Sequence, residues 1–124
     1  MVLILGGAYQ GKLDYAKDEF AVQEAEVFSC CNTQIDFSKR CIYGIEEFTY
    51  ACVQKQQDPV AYFRERKTQW KESVLICRDI FCGVVPLDFD QRKWRQETGR
   101  LCQYLAGEAN QVSRIFCGLE QRLK

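Results

Sequence analysis

The chain has 124 residues, of which 47% are apolar, and this is enough to fill the core of one domain over residues 1–124. Its 17 basic and 17 acidic residues cancel, and neither sign is concentrated in one stretch, which argues against nucleic acid or an anionic membrane as a partner. Its apolar runs are far shorter than the ~20 residues of a membrane-spanning helix, so we expect no membrane segment.

The predicted elements alternate between strands and helices from the N terminus onward. Residues 2–5 are apolar at every position, which is typical of a strand buried on both faces of a parallel sheet, and the start lacks the basic region of a signal peptide. Residues 12–20 carry Leu13, Ala16 and Phe20 at spacings of three and four, which predicts a helix. Residues 26–28 and 41–43 are predicted as short strands, and residues 29–39 as a loop.

The second half continues the alternation. A helix is predicted from Ile45 to about Asp58, because Pro59 disfavours helical geometry in the residue before it. Pro59 suits the first turn of a further helix that runs to about Trp70 with Asp58 as its cap. Residues 73–77 are predicted as a strand.

The last predicted elements are a long helix and a closing strand. Asp88 can cap a helix that reaches about Ala109, and residues 112–117 form the last strand. The apolar stripe of this helix consists of Phe89, Trp94, Leu101, Tyr104 and Leu105. The alternation predicts a three-layer α/β fold with a mainly parallel sheet and residues 2–5 in its centre.

Eight cysteines are many for this length, but their pattern does not favour a metal site. No two are spaced as Cys-x-x-Cys, and the chain has no histidine, so a zinc site lacks both its usual spacing and one usual ligand. Without an export signal, we expect reduced and mostly buried thiols in a cytoplasmic protein.

One motif carries chemistry: Gly6, Gly7, Ala8, Tyr9, Gln10, Gly11 and Lys12 match the first seven positions of the phosphate-loop pattern. Glycines allow the backbone to wrap around a phosphate, and the helix that follows directs its positive dipole end at the same anion. Lys12 is then expected to reach the β- and γ-phosphates of GTP or ATP.

The eighth position of the pattern departs from this chemistry. A serine or threonine hydroxyl binds Mg²⁺ there, but this chain has Leu13. Because magnesium commonly keeps several waters, the change weakens metal-assisted chemistry more than phosphate binding. A glycine turn that never meets a ligand is the alternative.

Three stretches of the sequence resemble the bifunctional adenosylcobinamide kinase and adenosylcobinamide-phosphate guanylyltransferase family of cobalamin biosynthesis. The N-terminal strand and loop are similar to those of the family, and residues 74–86 resemble its strand ending in Ser-Asn-Glu-Val-Gly-x-Gly-Ile-Val-Pro. Residues 94–100 resemble its Phe-Arg-Asp-x-x-Gly-Arg segment. The resemblance covers the first ~20 residues and residues 73 to 124, whereas the middle, residues 29–70, diverges.

The resemblance implies a fold like that of P-loop NTPases, a corrinoid (cobinamide) as second substrate, and trimers that share sites between chains. The histidine that the family guanylylates is absent, which leaves a kinase without the guanylyl step. The alternative is a catalytically inactive homologue that binds a nucleotide or corrinoid, or serves as a structural subunit of an oligomer.

The resemblance also places Asp79 where the family has a carboxylate at the tip of a strand. There it would act with Lys12 in catalysis by orienting a magnesium-bound water or the substrate hydroxyl. Alternatively, Asp79 pairs with Arg95 or Arg100, and the sequence leaves both interpretations open. Phe81 replaces a family glycine in the following loop.

Weaker candidates complete the set. Asp36 and the pair Glu46 and Glu47 are possible metal-binding carboxylates, although adjacent glutamates on a helix are usually solvated. Cys30 and Cys31 lie where a nucleophile is conceivable, but nothing in the sequence supplies a base beside them.

Overall fold

The computed structural model describes residues 1–80 and 88–124, and in these ranges a sheet of six strands is covered by helices. The strands are β1 Val2–Gly6, β2 Val27–Ser29, β3 Cys41–Tyr43, β4 Val74–Arg78, β5 Gln111–Phe116 and β6 Leu119–Arg122. The helices are α1 Lys12–Phe20, α2 Ile45–Gln54, α3 Pro59–Glu65, α4 Lys67–Trp70 and α5 Phe89–Glu108.

The strand order is β2-β3-β4-β1-β5-β6, and all pairs are parallel except β5 with β6. The first strand pairs with β4 on one side and β5 on the other, which confirms the central place predicted for residues 2–5 and the mainly parallel α/β fold. Helices cover both faces of the sheet at this strand, and its uninterrupted apolar sequence reflects burial on both faces.

Side-chain alternation along the strands divides the core into two parts. Leu3 and Leu75 are fully buried on the face covered by α2, α3 and α5, and Ile4 and Ile76 are fully buried on the face covered by α1. Burial of such side chains contributes about 1.5–3 kcal/mol each to folding, which fixes the register of the strands.

The helix α2 ends earlier than the sequence predicts. It stops at Gln54 instead of continuing to Asp58, because Gln56 adopts a left-handed conformation with φ of 56°. The N–H of Gln57 then donates to the carbonyl oxygen of Cys52 at 2.8 Å, an end motif that closes the last turn.

The helix predicted over residues 59–70 is two helices. Asp58 caps α3 as expected, since its carboxylate accepts from the N–H groups of Val60 and Ala61. The two helices are separated at Arg66, whose backbone N–H donates to the carbonyl oxygen of Phe63. The same oxygen accepts a hydrogen bond of 2.7 Å from the buried indole of Trp70. The interruption therefore coincides with the packing of Trp70, and the sequence pattern did not predict it.

Three smaller corrections concern strand and helix ends. Glu26 belongs to a 3-10 turn, Glu24–Glu26, so β2 starts one residue later than predicted. A further strand, β6, follows the one predicted to be last, and forms a hairpin with it through Cys117 and Gly118. Phe89 is 70% exposed, because the buried side chains of α5 begin only at Glu97.

The seven described cysteines are free thiols, and five of them are buried. The sulfur atoms of Cys77 and Cys102 lie 3.8 Å apart in the core. Cys82 falls outside the described residues. None of the helices in the described ranges combines the length and apolar character that a bilayer span requires.

Candidate functional site

The phosphate-loop motif lies where the sequence predicted it, between the central strand and the first helix. Gly6 ends β1, and a Cβ atom at this position would lie 2.6 Å from the carbonyl oxygen of Ile115 in β5, so only glycine fits. Gly11 precedes α1 with φ of 90°, which an L side chain would strain. No side chain caps the N terminus of α1, and its first N–H groups have no partner within the helix.

Lys12 is folded over the loop that precedes it. Its side chain is only 6% exposed, and its Nζ donates a hydrogen bond of 2.6 Å to the carbonyl oxygen of Gly7. Burial lowers the pKa of Lys12 below its ordinary value, and the nearby Arg78 lowers it further, while Glu46 opposes the shift. A buried ammonium group that touches only one carbonyl is suited to accept an anion.

A cavity of about 300 Å³ opens beside the loop. Its wall is formed by Ala8, Tyr9, Gln10, Gly11, Lys12, Leu13, Asp14, Tyr43, Glu46, Ile76 and Arg78. The cavity lies at the carboxyl ends of β1, β3 and β4, where the connections from β1 and β4 lead to opposite sides of the sheet. Ligands of open α/β sheets bind at this kind of crevice.

Leu13 has two environments. It is half-buried and packs against the apolar cluster around Ile4 and Ala16, as the sequence suggested, but it also contributes to the cavity wall. Gly6 and Gly7 shape the loop without lining the cavity, so the contact surface offered to a ligand begins at Ala8.

Glu46 is the buried carboxylate that lines this cavity, where the other acidic residue, Asp14, is exposed. The residue is 7% exposed, and its Oε1 accepts a hydrogen bond of 2.8 Å from the backbone N–H of Arg78. Its carbonyl oxygen accepts from the Trp94 indole at 2.8 Å and from the Thr49 hydroxyl at 2.9 Å. These contacts fix Glu46 at the start of α2, although from sequence Glu46 was a weak candidate because adjacent glutamates on a helix usually mark a solvated face.

Arg78 was missed by the sequence analysis, although strand alternation identifies it. Every second residue of β4 faces α1, and Arg78 continues the line of Val74 and Ile76 to the edge of the sheet. In the pairing of β1 with β4, Arg78 lies opposite Gly6, the first glycine of the loop. Two cationic side chains, Arg78 and Lys12, therefore line one cavity.

Asp79 lies next to the loop but not in the cavity wall. Its backbone N–H donates to the carbonyl oxygen of Gly6 at 2.7 Å, which ties the tip of β4 to the start of the phosphate loop. Of the two arginines proposed as its partners, Arg100 contacts Glu97 at 2.8 Å and Asp58 at 3.4 Å instead.

The hairpin tip between β5 and β6 supports the loop from the other side. The side-chain oxygen of Gln10 accepts a hydrogen bond of 2.6 Å from the N–H of Cys117. Its backbone carbonyl oxygen accepts one of 2.9 Å from the N–H of Gly118. Tyr9, with φ of 61°, is fully exposed at the outer end of the loop.

The remaining candidates do not reach this site. Asp36 accepts from the N–H and the hydroxyl of Ser38, contacts that lower the pKa of Asp36 and mark it as a turn residue. Glu47 is exposed. Burial raises the pKa of Cys30 to about 12, which disfavours a nucleophilic thiolate, and Cys31 is exposed. Phe81 lies outside the described residues.

Within the described ranges, no group of three or more acidic, histidine or cysteine side chains is placed to hold a metal ion. In comparisons with known proteins, no family model matches the chain, and no curated protein matches it either.

Proposed function

We propose that this chain binds the phosphates of GTP or ATP in the cavity beside residues 6–13, and that its domain is of the P-loop NTPase type. The observation that carries the proposal is the buried Lys12 ammonium, which lies at a glycine loop between the central strand and an uncapped helix N terminus. The Lys12 ammonium, the loop from Ala8 to Gly11 and the start of the helix each favour an anion and border one cavity of about 300 Å³.

The proposed activity is that of a shortened adenosylcobinamide kinase in the cytoplasm. The γ-phosphoryl group would pass to a hydroxyl of the corrinoid: the bond from the γ-phosphorus to the β,γ-bridging oxygen breaks, a bond to the hydroxyl oxygen forms, and the nucleoside diphosphate leaves. Lys12 would neutralise charge on the phosphates. Asp79 or Glu46 would accept the hydroxyl proton, and Mg²⁺ would assist through waters, since Leu13 offers no ligand.

The second candidate is a homologue that binds a nucleotide or corrinoid as one subunit of a homotrimer, without catalysis. Leu13 favours it, because its apolar side chain replaces the metal-binding hydroxyl and occupies the cavity wall. Phosphate binding is common to both candidates, whereas phosphoryl transfer separates them.

Calorimetric titration with GTP and ATP tests the shared part. We expect wild type to bind and Lys12→Ala to bind about tenfold more weakly, since charge-assisted hydrogen bonds contribute roughly 1.5–3 kcal/mol. Lys71→Ala is the matched control, because Lys71 is exposed at the opposite edge of the sheet, beside the start of β4. No binding by wild type at millimolar nucleotide would overturn the proposal.

Phosphoryl transfer is tested separately by incubating wild type with Mg²⁺, GTP or ATP, and cobinamide. A phosphorylated corrinoid that disappears with Lys12→Ala supports the kinase. Nucleotide binding without this product supports the second candidate.

A further inference from the structure

The phosphate loop lacks the group that normally brings a metal ion to the phosphates. Leu13 stands at the hydroxyl position, and its half-buried side chain packs against the cluster around Ile4. A nucleoside triphosphate that enters this cavity therefore needs another source of positive charge beside Lys12.

Arg78 is placed to be that source. It lies opposite Gly6 in the β1–β4 pairing, at the carboxyl end of β4, and its side chain borders the same cavity as Lys12. It is half-buried, so an ion pair formed there is screened less than one on the open surface.

The guanidinium group of Arg78 is not used elsewhere in the described structure. None of the ion pairs described within residues 1–80 and 88–124 involves it. The backbone of Arg78, and not its side chain, donates to Glu46 and accepts from the Cys77 thiol. By contrast, Arg100 pairs with two carboxylates and Arg66 stacks on the ring of Tyr62 at 3.8 Å. No described contact therefore indicates a structural role for the Arg78 side chain.

Arg78 and Lys12 also influence each other. The positive charge of Arg78 contributes to the lowered pKa of Lys12, so the two cations repel in the absence of a ligand. Burial is the largest cause of the lowered pKa of Lys12, and the carboxylate of Glu46 attracts the Lys12 ammonium more strongly than Arg78 repels it. A phosphate that contacts both cations would replace the solvation that burial removes from Lys12.

We propose that Arg78 binds the terminal phosphates of the nucleotide, so that this site binds a nucleoside triphosphate without needing Mg²⁺ for the binding step. The planar guanidinium can donate two parallel hydrogen bonds to phosphate oxygens, and it stays charged at every pH the protein experiences. The inference rests on the proposed nucleotide site and assigns it a second phosphate-binding residue.

Titrations with ATP and GTP in the presence of a chelator test the inference, on wild type, Arg78→Gln, Arg78→Lys and the control Lys71→Gln. We expect wild type to bind about equally well with and without Mg²⁺, and Arg78→Gln to bind metal-free nucleotide about tenfold more weakly, as loss of a charge-assisted bond requires. Arg78→Lys should recover part of the affinity, and Lys71→Gln should match wild type. Equal melting temperatures without ligand verify that each variant is folded.

Inorganic tripolyphosphate, which has no base or sugar, identifies the group that Arg78 contacts. Its affinity should fall with Arg78→Gln by the same factor as that of the nucleotide. Wild-type binding that Arg78→Gln leaves unchanged, or a loss seen with nucleotide but not with tripolyphosphate, would overturn the role of Arg78 while the proposed function stands. Absence of any binding by wild type would instead overturn the proposed function.

Discussion

The side-chain oxygen of Gln10 accepts a hydrogen bond of 2.6 Å from the backbone N–H of Cys117, which joins the phosphate loop to the tip of the β5–β6 hairpin. Gln10→Ala removes this contact and leaves the second one, from the Gly118 N–H to the Gln10 carbonyl. We expect the loop to lose preorganisation, and nucleotide affinity measured by calorimetry to fall about three- to tenfold, as the loss of about 1 kcal/mol predicts.

Gln103→Ala is the matched control, because Gln103 is exposed on α5. Both variants should unfold within about 1 kcal/mol of wild type, since Gln103 is exposed and Gln10→Ala removes a half-buried side chain with one hydrogen bond. Equal affinities of Gln10→Ala and wild type would show that the hairpin tip does not position the loop.

The local parts of this site were predictable from sequence, and the long-range parts were not. The glycine loop, its central strand and the helix after it follow from patterns within the first 20 residues, and the structure places all three as predicted. The support from Cys117 depends on β6. This strand of four exposed residues has no alternation of polar and apolar residues, and its pairing with β5 is what makes it a strand.

Arg78 and Glu46 show the same limit within the cavity. Arg78 lies at the end of a strand, and Glu46 at the start of a helix, that the sequence correctly predicts. The hydrogen bond of 2.8 Å from the Arg78 N–H to the Glu46 carboxylate depends on β3 and β4 being neighbours. The order of elements along the chain does not reveal this pairing. The early end of α2 likewise comes from the left-handed Gln56, a conformation that glutamine rarely adopts.

Two glycines with opposite surroundings give a prediction on stability. Gly6→Ala would bring a Cβ atom to 2.6 Å from the backbone oxygen of Ile115 in the central sheet, so we expect a loss of about 1–3 kcal/mol in the free energy of unfolding. Gly107→Ala meets no atom within 4 Å and lies in α5, so it should add about 0.5–1 kcal/mol. Urea denaturation measures both, and a Gly6→Ala midpoint equal to that of wild type would contradict the close approach.

A buried pair of hydroxyl groups joins α2 to α5. The Oγ1 atoms of Thr49 and Thr98 are 2.6 Å apart, and Thr49 donates its proton to the Glu46 carbonyl, so Thr98 is the donor within the pair. Thr98→Val should cost about 1 kcal/mol, and Thr49→Val about 1–3 kcal/mol because it also leaves Thr98 without this partner.

The double variant should therefore be more stable than the sum of the single losses predicts, by about 0.5 kcal/mol or more. A double-mutant cycle from urea denaturation measures this coupling. Additive losses would mean that the two hydroxyl groups do not interact in solution.

Thiol reactivity should divide the seven described cysteines into two classes. Burial raises the pKa of Cys30 and Cys52 to about 12 and that of Cys41 to about 11, and Cys77 and Cys102 are also buried. Because the thiolate is the reactive form, native protein treated with iodoacetamide should be alkylated first at Cys31 and Cys117, which are exposed. Peptide mass spectrometry reads the order, and early alkylation at Cys41 or Cys52 would contradict the described burial.

The lowered pKa of Lys12 predicts how nucleotide affinity changes with pH. Burial and the charge of Arg78 disfavour the ammonium form of Lys12, with Glu46 in partial opposition, so this group loses its proton at a lower pH than an ordinary lysine. Only the ammonium form attracts phosphate, and a bound phosphate raises the pKa again. Affinity for ATP should therefore fall as pH rises through the lowered pKa, while exposed lysines are still charged.

The contribution of Lys12 to the stability of the ligand-free protein should change in the opposite direction over the same pH window. It is read as the difference between wild type and Lys12→Arg, because the buried thiols with raised pKa lower the stability of both proteins as pH rises. The unfolded chain holds the Lys12 proton more tightly than the folded protein does, so deprotonation favours the folded state and the contribution of Lys12 to the free energy of unfolding rises with pH. Lys12→Arg keeps its charge, because a guanidinium does not titrate in this range, and it should show neither effect. Calorimetric titration with metal-free ATP from about pH 7 to about pH 10, beside urea denaturation at each pH, measures both quantities. A parallel fall in the affinity of wild type and Lys12→Arg would assign the pH dependence to another group and contradict the position of Lys12 at the phosphates.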